Sequence, residues 1–407
     1  MNVDPPSSST VGPQAPLPLR SFWIAGYEGA DHLSGSGLAF DLIDAAAQAE
    51  RVLDDYRAAR EVGIACVRET VGWRKVERPY GFEFEGLRLR AEAAKRYGIQ
   101  VLWTLCEGDW PHDVDVLADD FPRRFAAYAT ACAEAVHATS EDDAPIFTPL
   151  EEISFLSWGV AETGLFNAHR RDLRSQGFEV KRRLVMATLA ACDAIRAVNP
   201  RARFLHTEPL ARRIPVSTGD ASIGGPAERP ADDVVFQFQA WDMLCGRALP
   251  QLGGNPGYVD LLGINCYASR QIESRTLAPL PGRRGERRRM PLHQMLTEVH
   301  ARYGRPVIVG ERSPIGVNRA AWLREIGDEI REALTNGVPV AGACLHPLAD
   351  PPKWKDPQRW RAHDLWEDVL RPQRQSTRPQ SLYLQTLRTV QARVDPALTR
   401  SPQWNPS

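Results

Sequence analysis

No two cysteines of the chain stand in C-x-x-C spacing, and the seven present are an odd, scattered set. That speaks against a disulfide framework or a thiolate zinc ribbon, and for reduced thiols in a cytoplasm. Cys66, Cys192 and Cys344 sit in apolar segments and are expected as small core residues. No apolar run approaches the ~20 residues that span a bilayer. Charge of one sign is also lacking: 50 basic against 51 acidic residues leave a net charge of -1. Nothing global therefore draws the chain to nucleic acid or an anionic membrane, and neither is expected as a partner. No glycine-rich phosphate loop follows a strand. Gly253-Gly254 stands alone in a loop without a dinucleotide fingerprint, so a Rossmann domain is unsupported and no cofactor is expected. The first twenty residues, with Pro5, Pro6, Ser7 to Ser9 and Pro13, lack the basic and apolar regions of a signal peptide. They are expected as a disordered tail.

What is there is a globular balance, 43% hydrophobic and 25% charged over 407 residues. Eight short apolar runs alternate with amphipathic stretches, the pattern of repeated βα units. The runs are Phe22 to Tyr27, Ala65 to Thr70, Gln100 to Cys106, Pro145 to Leu150, Arg203 to Thr207, Val259 to Cys266, Pro306 to Gly310 and Val338 to His346. Helical patterns cover Asp41–Val62, Phe121–Ala138, Lys181–Val198 and Ala320–Thr335. Gly63, Gly98, Gly304 and Gly337 each follow a helical stretch and precede a strand, which predicts helix C-caps. Eight units favour closure into a (β/α)8 barrel over 21–394, between tails at 1–20 and 395–407.

Such barrels act at the carboxyl ends of their strands. Those ends carry Glu28, Asp31 and His32; Arg68 and Glu69; Glu107 and Asp109; Glu151 and Glu152; His206 and Glu208; Asn265 and Tyr267; Glu311 and Arg312; and His346 and Asp350. The Glu at the fourth strand and the Glu at the seventh are the informative pair. A metal held by these carboxylates with His206 or His346 is conceivable, but no HxH or HExxH spacing supports one.

Motifs at five of the strands, in chain order, carry a resemblance. Val67 to Trp73, followed by Val76-Glu77 and Tyr80 to Phe82, resembles the second strand of clan A glycoside hydrolases, notably family 1. Leu102 to Cys106 with Asp109-Trp-Pro111 resembles their third strand, and Phe147 to Ser154 the fourth, where an Asn-Glu pair resides. Asp260 to Tyr267 is similar to the sixth strand and Pro306 to Glu311 to the seventh. The resemblance runs from Phe22 to Trp366 and implies a retaining β-glycosidase or transglycosidase acting on a small glycoside. It implies Glu311 as nucleophile and Glu152 as general acid/base, because retention needs one carboxylate to attack and one carboxylic acid to protonate the departing oxygen. Arg68 and Tyr267 would support Glu311. Glu107, Trp110, Glu151, Asn265 and His346 would meet the substrate, and Trp73, Trp103 and Trp158 are further candidates to stack on sugar.

The pattern also departs from that family. Glu151 stands where an Asn is usual, and Glu107 near where relatives carry a His. Cys266 replaces an aromatic residue, Arg312 a small one, and His346 occupies an often aromatic position. Either the site has turned acidic to accept a cationic or amino-bearing sugar, or hydrolysis is lost and the barrel binds a carbohydrate or metabolite or serves a repurposed biosynthetic step. Residues Ser269 to Met290 hold seven Arg against two Glu after the sixth strand. They could clamp a phosphate or dock a partner, or form a solvated loop.

Overall fold

Short apolar runs can be buried on both faces only as parallel strands walled by helices, and that is what they form. In this computed structural model the eight strands are β1 (Trp23–Gly26), β2 (Cys66–Thr70), β3 (Gln100–Cys106), β4 (Ile146–Leu150), β5 (Arg203–Pro209), β6 (Leu261–Cys266), β7 (Val307–Arg312) and β8 (Val340–His346). Each pairs in parallel with its neighbours in sequence, and β1 closes on β8. The structure describes residues 19–27, 29, 31–33, 39–41, 48–108, 110–163, 173, 175–210, 212–214, 231–266, 271–273, 280, 286, 288–312, 319–346 and 382–398.

One set of alternating strand residues fills the barrel: Ile24, Leu102, Ile146, Leu205, Leu261 and Ile308 pack together, with Leu19 among them. The other set faces helices α1 (Gln48–Glu61), α2 (Glu85–Tyr97), α3 (Phe121–Thr139), α4 (Ile153–Trp158), α5 (Gly177–Val198), α6 (Ala231–Leu244), α7 (Leu292–Tyr303), α8 (Arg319–Thr335) and α9 (Leu382–Leu398). The interior is thus packed core, and binding is left to the rim.

The expected helix–Gly–strand junctions are present. Gly98 ends α2 at φ 64°, its N–H bonded back to the carbonyls of Ala94 and Lys95. Gly63, Gly304 and Gly337 likewise have positive φ. Two boundaries differ from expectation. Asp41, placed by the pattern in the first helix, lies in a strand (Ala39–Asp41) antiparallel to Asp31–Leu33, and α1 is described from Gln48. Cross-strand pairing has overridden a helical periodicity there. At the other end α9 runs to Leu398, beyond the expected boundary at 394. All seven cysteines are free. Among the described residues no helix is long and apolar enough to cross a membrane.

Candidate active site

The rim of the barrel is organised around one turn. The N–H of Glu151 donates to Cys106 on β3 and that of Glu152 to Thr207 on β5, so β4 stays paired with both neighbours just past its end. Glu152 then adopts φ 51°, ψ 53°, the left-handed region. For a residue with a side chain this costs on the order of 1–3 kcal/mol and persists only where the surroundings hold it. Its consequence is geometric. Adjacent strand residues ordinarily point to opposite faces, but the turn brings Glu151 and Glu152 to the same amide: Asn265 Nδ2 donates to Glu152 Oε1 at 2.8 Å and to Glu151 Oε1 at 3.2 Å.

Asn265 has room because its partner on β7 is Gly310. A Cβ at Gly310 would collide with Asn265 Oδ1. The glycine therefore seats the amide with its nitrogen toward the two carboxylates.

Arg68, on β2, directs Nη1 at Glu151 Oε1 at 2.5 Å, with Nη2 3.7 Å from Glu107 Oε1. Burial alone would lower its proton affinity, but the Glu151 and Glu107 carboxylates outweigh burial and hold the guanidinium firmly charged. Glu107 also accepts from Thr70 Oγ1 at 2.6 Å. Sequence reasoning assigned Arg68 to Glu311; its described ionic partners are Glu151 and Glu107. The second oxygen of Glu151 is buried and accepts from no described residue. Of Glu311 and Arg312 the structure describes the backbone, with Glu311 level with Cys266 on β6 and Leu345 on β8. Tyr267, Asp109, Glu28 and Asp350 lie outside the described residues, as does most of the Arg-rich segment. Within that segment Arg288 Nε pairs with Glu286 at 2.8 Å.

Glu208, noted at the end of β5 but given no role by the sequence, belongs to this group. It is 3% exposed, and both its oxygens accept from the Ser154 N–H at 3.2 Å. Burial pushes its carboxyl up to about 7; the Ser154 contact and Lys181 pull it down, and Glu152 adds to the rise.

Other candidates are engaged elsewhere. His206 donates Nε2–H to the Tyr258 carbonyl at 2.8 Å, and burial pushes its imidazole down to about 4, so it is neutral and turned to structure. Trp73 and Trp103 are fully buried; Trp73 stacks on Tyr128, a correction to the expectation that it meets sugar. Trp110, expected at the substrate, is 2% exposed and packs edge-on against Phe121. Trp158 is exposed and stacks on Phe155. His346 is buried at the end of β8, close against Gly26. Among the described residues no three His, Cys, Asp or Glu side chains group to hold a metal.

No family model matches the chain. No curated protein matches it either. Solved structures do. An AHE enzyme from Alicyclobacillus herbarius is 20% identical, with a TM-score of 0.59 over 74% of this chain and 78% of that one. A family 1 β-glucosidase from Thermotoga maritima, in complex with isofagomine lactam, is 14% identical, with a TM-score of 0.58 over 76% and 80%. A hyperthermophilic β-glucosidase mutant, 14% identical, gives 0.64 over 91% of this chain and 100% of its own. The chain has the fold of these β-glucosidases. At such identities the likeness is one of fold, that of a (β/α)8 barrel.

Proposed function

We propose that the barrel is a retaining β-glycosidase or transglycosidase, with Glu152 as general acid/base and Glu311 as nucleophile. The observation that carries this reading is the left-handed turn at Glu152, which holds a buried carboxyl against Asn265 at the strand ends where barrels act. Glu311 is the penultimate residue of β7, across the barrel from β4.

In the first step the Glu311 carboxylate attacks the anomeric carbon as the glycosidic C–O bond breaks, and Glu152 gives its proton to the departing oxygen. Water, losing a proton to Glu152, then cleaves the glycosyl ester and frees Glu311; an alcohol in its place gives transfer. Carboxyls about 5–5.5 Å apart suit this double displacement. One prediction follows from the division of labour. With an activated aryl glycoside, whose leaving group needs no acid, Glu152→Ala slows the second step, and azide restores turnover as a glycosyl azide. Azide without effect on a folded variant contradicts the assignment of Glu152.

The altered shell narrows the substrate. Glu151 and Glu107 both address the Arg68 guanidinium, which gathers carboxylates at this part of the rim. We read this as a preference for a cationic or amino-bearing sugar, since an ammonium gains a charge-assisted bond. The same shell supports a second reading. Glu151 accepts where the resemblance implies an amide donor, and with Arg68 drawn to it the barrel would bind a carbohydrate or metabolite without hydrolysing it. Ligand binding unchanged in Glu311→Gln, with no turnover of any glycoside, favours that reading.

A further inference from the structure

The helix that follows Glu152 has an irregular start. Glu152 is the N-cap residue of α4, yet its side chain makes no capping bond. A helix ordinarily has its first free N–H groups satisfied by such a side chain. Here the cap comes from another strand: Glu208, at the end of β5, accepts the Ser154 N–H, two residues past the cap, with both carboxylate oxygens. The same strand also takes the Glu152 N–H on the Thr207 carbonyl at 2.8 Å. The left-handed residue is therefore held on both sides by consecutive residues of β5, and its own carboxyl is released to Asn265.

We propose that Glu208 is a positioning residue for Glu152, supplying from the neighbouring strand the cap that Glu152 withholds and so aiming its carboxyl at the site. This rests on the reading of Glu152 as acid/base. Among the described residues the charged groups that act on Glu208 are Lys181, from α5, and Glu152; from α4 it meets the uncharged Ser154. Lys181 is itself buried, with Nζ donating to Gln239 at 2.9 Å. Because Glu152 favours the proton on Glu208, the coupling is mutual and Glu208 as an anion favours the proton on Glu152. The cap thus also helps Glu152 to be the acid.

The experiment is a carboxyl titration of the full-length protein carrying 13C-labelled glutamate side chains, with Glu152→Gln and Glu208→Gln used to assign the pair. Glutamine keeps an oxygen for the Ser154 N–H but removes the charge. The expected result is two coupled steps in the wild type and, in Glu208→Gln, one remaining Glu152 step lying about one pH unit below the upper of the two, the order a nearby like charge produces. The basic limb of kcat/KM for an aryl β-glycoside moves the same way, which a purely structural cap would not cause. Glu208→Ala, with no acceptor, loses at least tenfold more kcat than Glu208→Gln. A Glu152 titration identical with and without the Glu208 charge overturns the proposal. Should the wild type turn over no glycoside, the glycosidase reading fails, while the titration still decides the role of Glu208. Should Glu208→Ala fail to fold, Glu208→Gln decides alone.

Discussion

Glu151 presents an acceptor where the sequence resemblance implies an amide donor, and its contacts show what it does to its neighbours. It draws the Arg68 guanidinium to itself at 2.5 Å and shares the Asn265 amide with Glu152. Replacing it with Asn shortens the side chain by one methylene, supplies an amide donor and leaves Arg68 with Glu107. If the rim selects an amino sugar, kcat/KM for a 2-amino-2-deoxyglucoside exceeds that for the matched glucoside, and Glu151→Asn reverses the order; an unchanged ratio contradicts the charge argument. Two other buried groups oppose each other in pH. Glu208 is raised from its ordinary 4.5 to about 7 and His206 lowered from 6.5 to about 4. Glu208 keeps its proton longer in the folded chain, so its stabilisation is full below pH 4.5 and is lost as pH rises through about 7. His206 is the reverse: the unfolded chain binds its proton first, so its contribution is lost as pH falls from 6.5 through about 4. The two slopes largely cancel in the wild type. Glu208→Gln removes one of them, so its stability relative to wild type should grow by about 3 kcal/mol between pH 4.5 and 7. Urea unfolding at several pH values measures this, and a difference flat in pH contradicts it.

The strands, most helices and the glycine caps were legible in the sequence because their causes are local: apolar run length, amphipathic period and the need for positive φ at a C-cap. Gly98 shows the local kind of constraint. A Cβ there would meet nothing within 4 Å, yet its φ of 64° disfavours any side chain. Gly310 shows the other kind, since its Cβ would strike Asn265 from the next strand. Gly98→Ala is therefore expected to cost about 1–2 kcal/mol in unfolding while leaving the site alone. Gly310→Ala should displace the amide from Glu152 and lower kcat more than tenfold in a protein that still folds, as circular dichroism and steady-state kinetics would show. Equal effects of the two on activity would contradict the seat assigned to Gly310. The turn at Glu152, the cap from Glu208 and the partners of Arg68 were not legible, because each depends on which strand ends stand side by side and at what height. The burial of Trp73, Trp103 and Trp110 was hidden for the same reason: an aromatic in or just past a strand reads alike whether it faces a sugar or the core.

At the scale of the whole molecule, closure of the sheet relates β4 to β7. Their sequence gives two carboxylates far apart in the chain, and the barrel sets their strand ends around one mouth filled below by packed side chains. The account stands on those two glutamates acting as a pair. The direct measurement is mass spectrometry of the intact and digested protein after incubation with an activated 2-deoxy-2-fluoro glycoside, which lets the glycosyl ester form and slows its hydrolysis. The account predicts one adduct per chain, on the peptide containing Glu311, and none in Glu311→Gln. An adduct on another residue, or turnover of a glycoside that persists in Glu311→Gln, would contradict it.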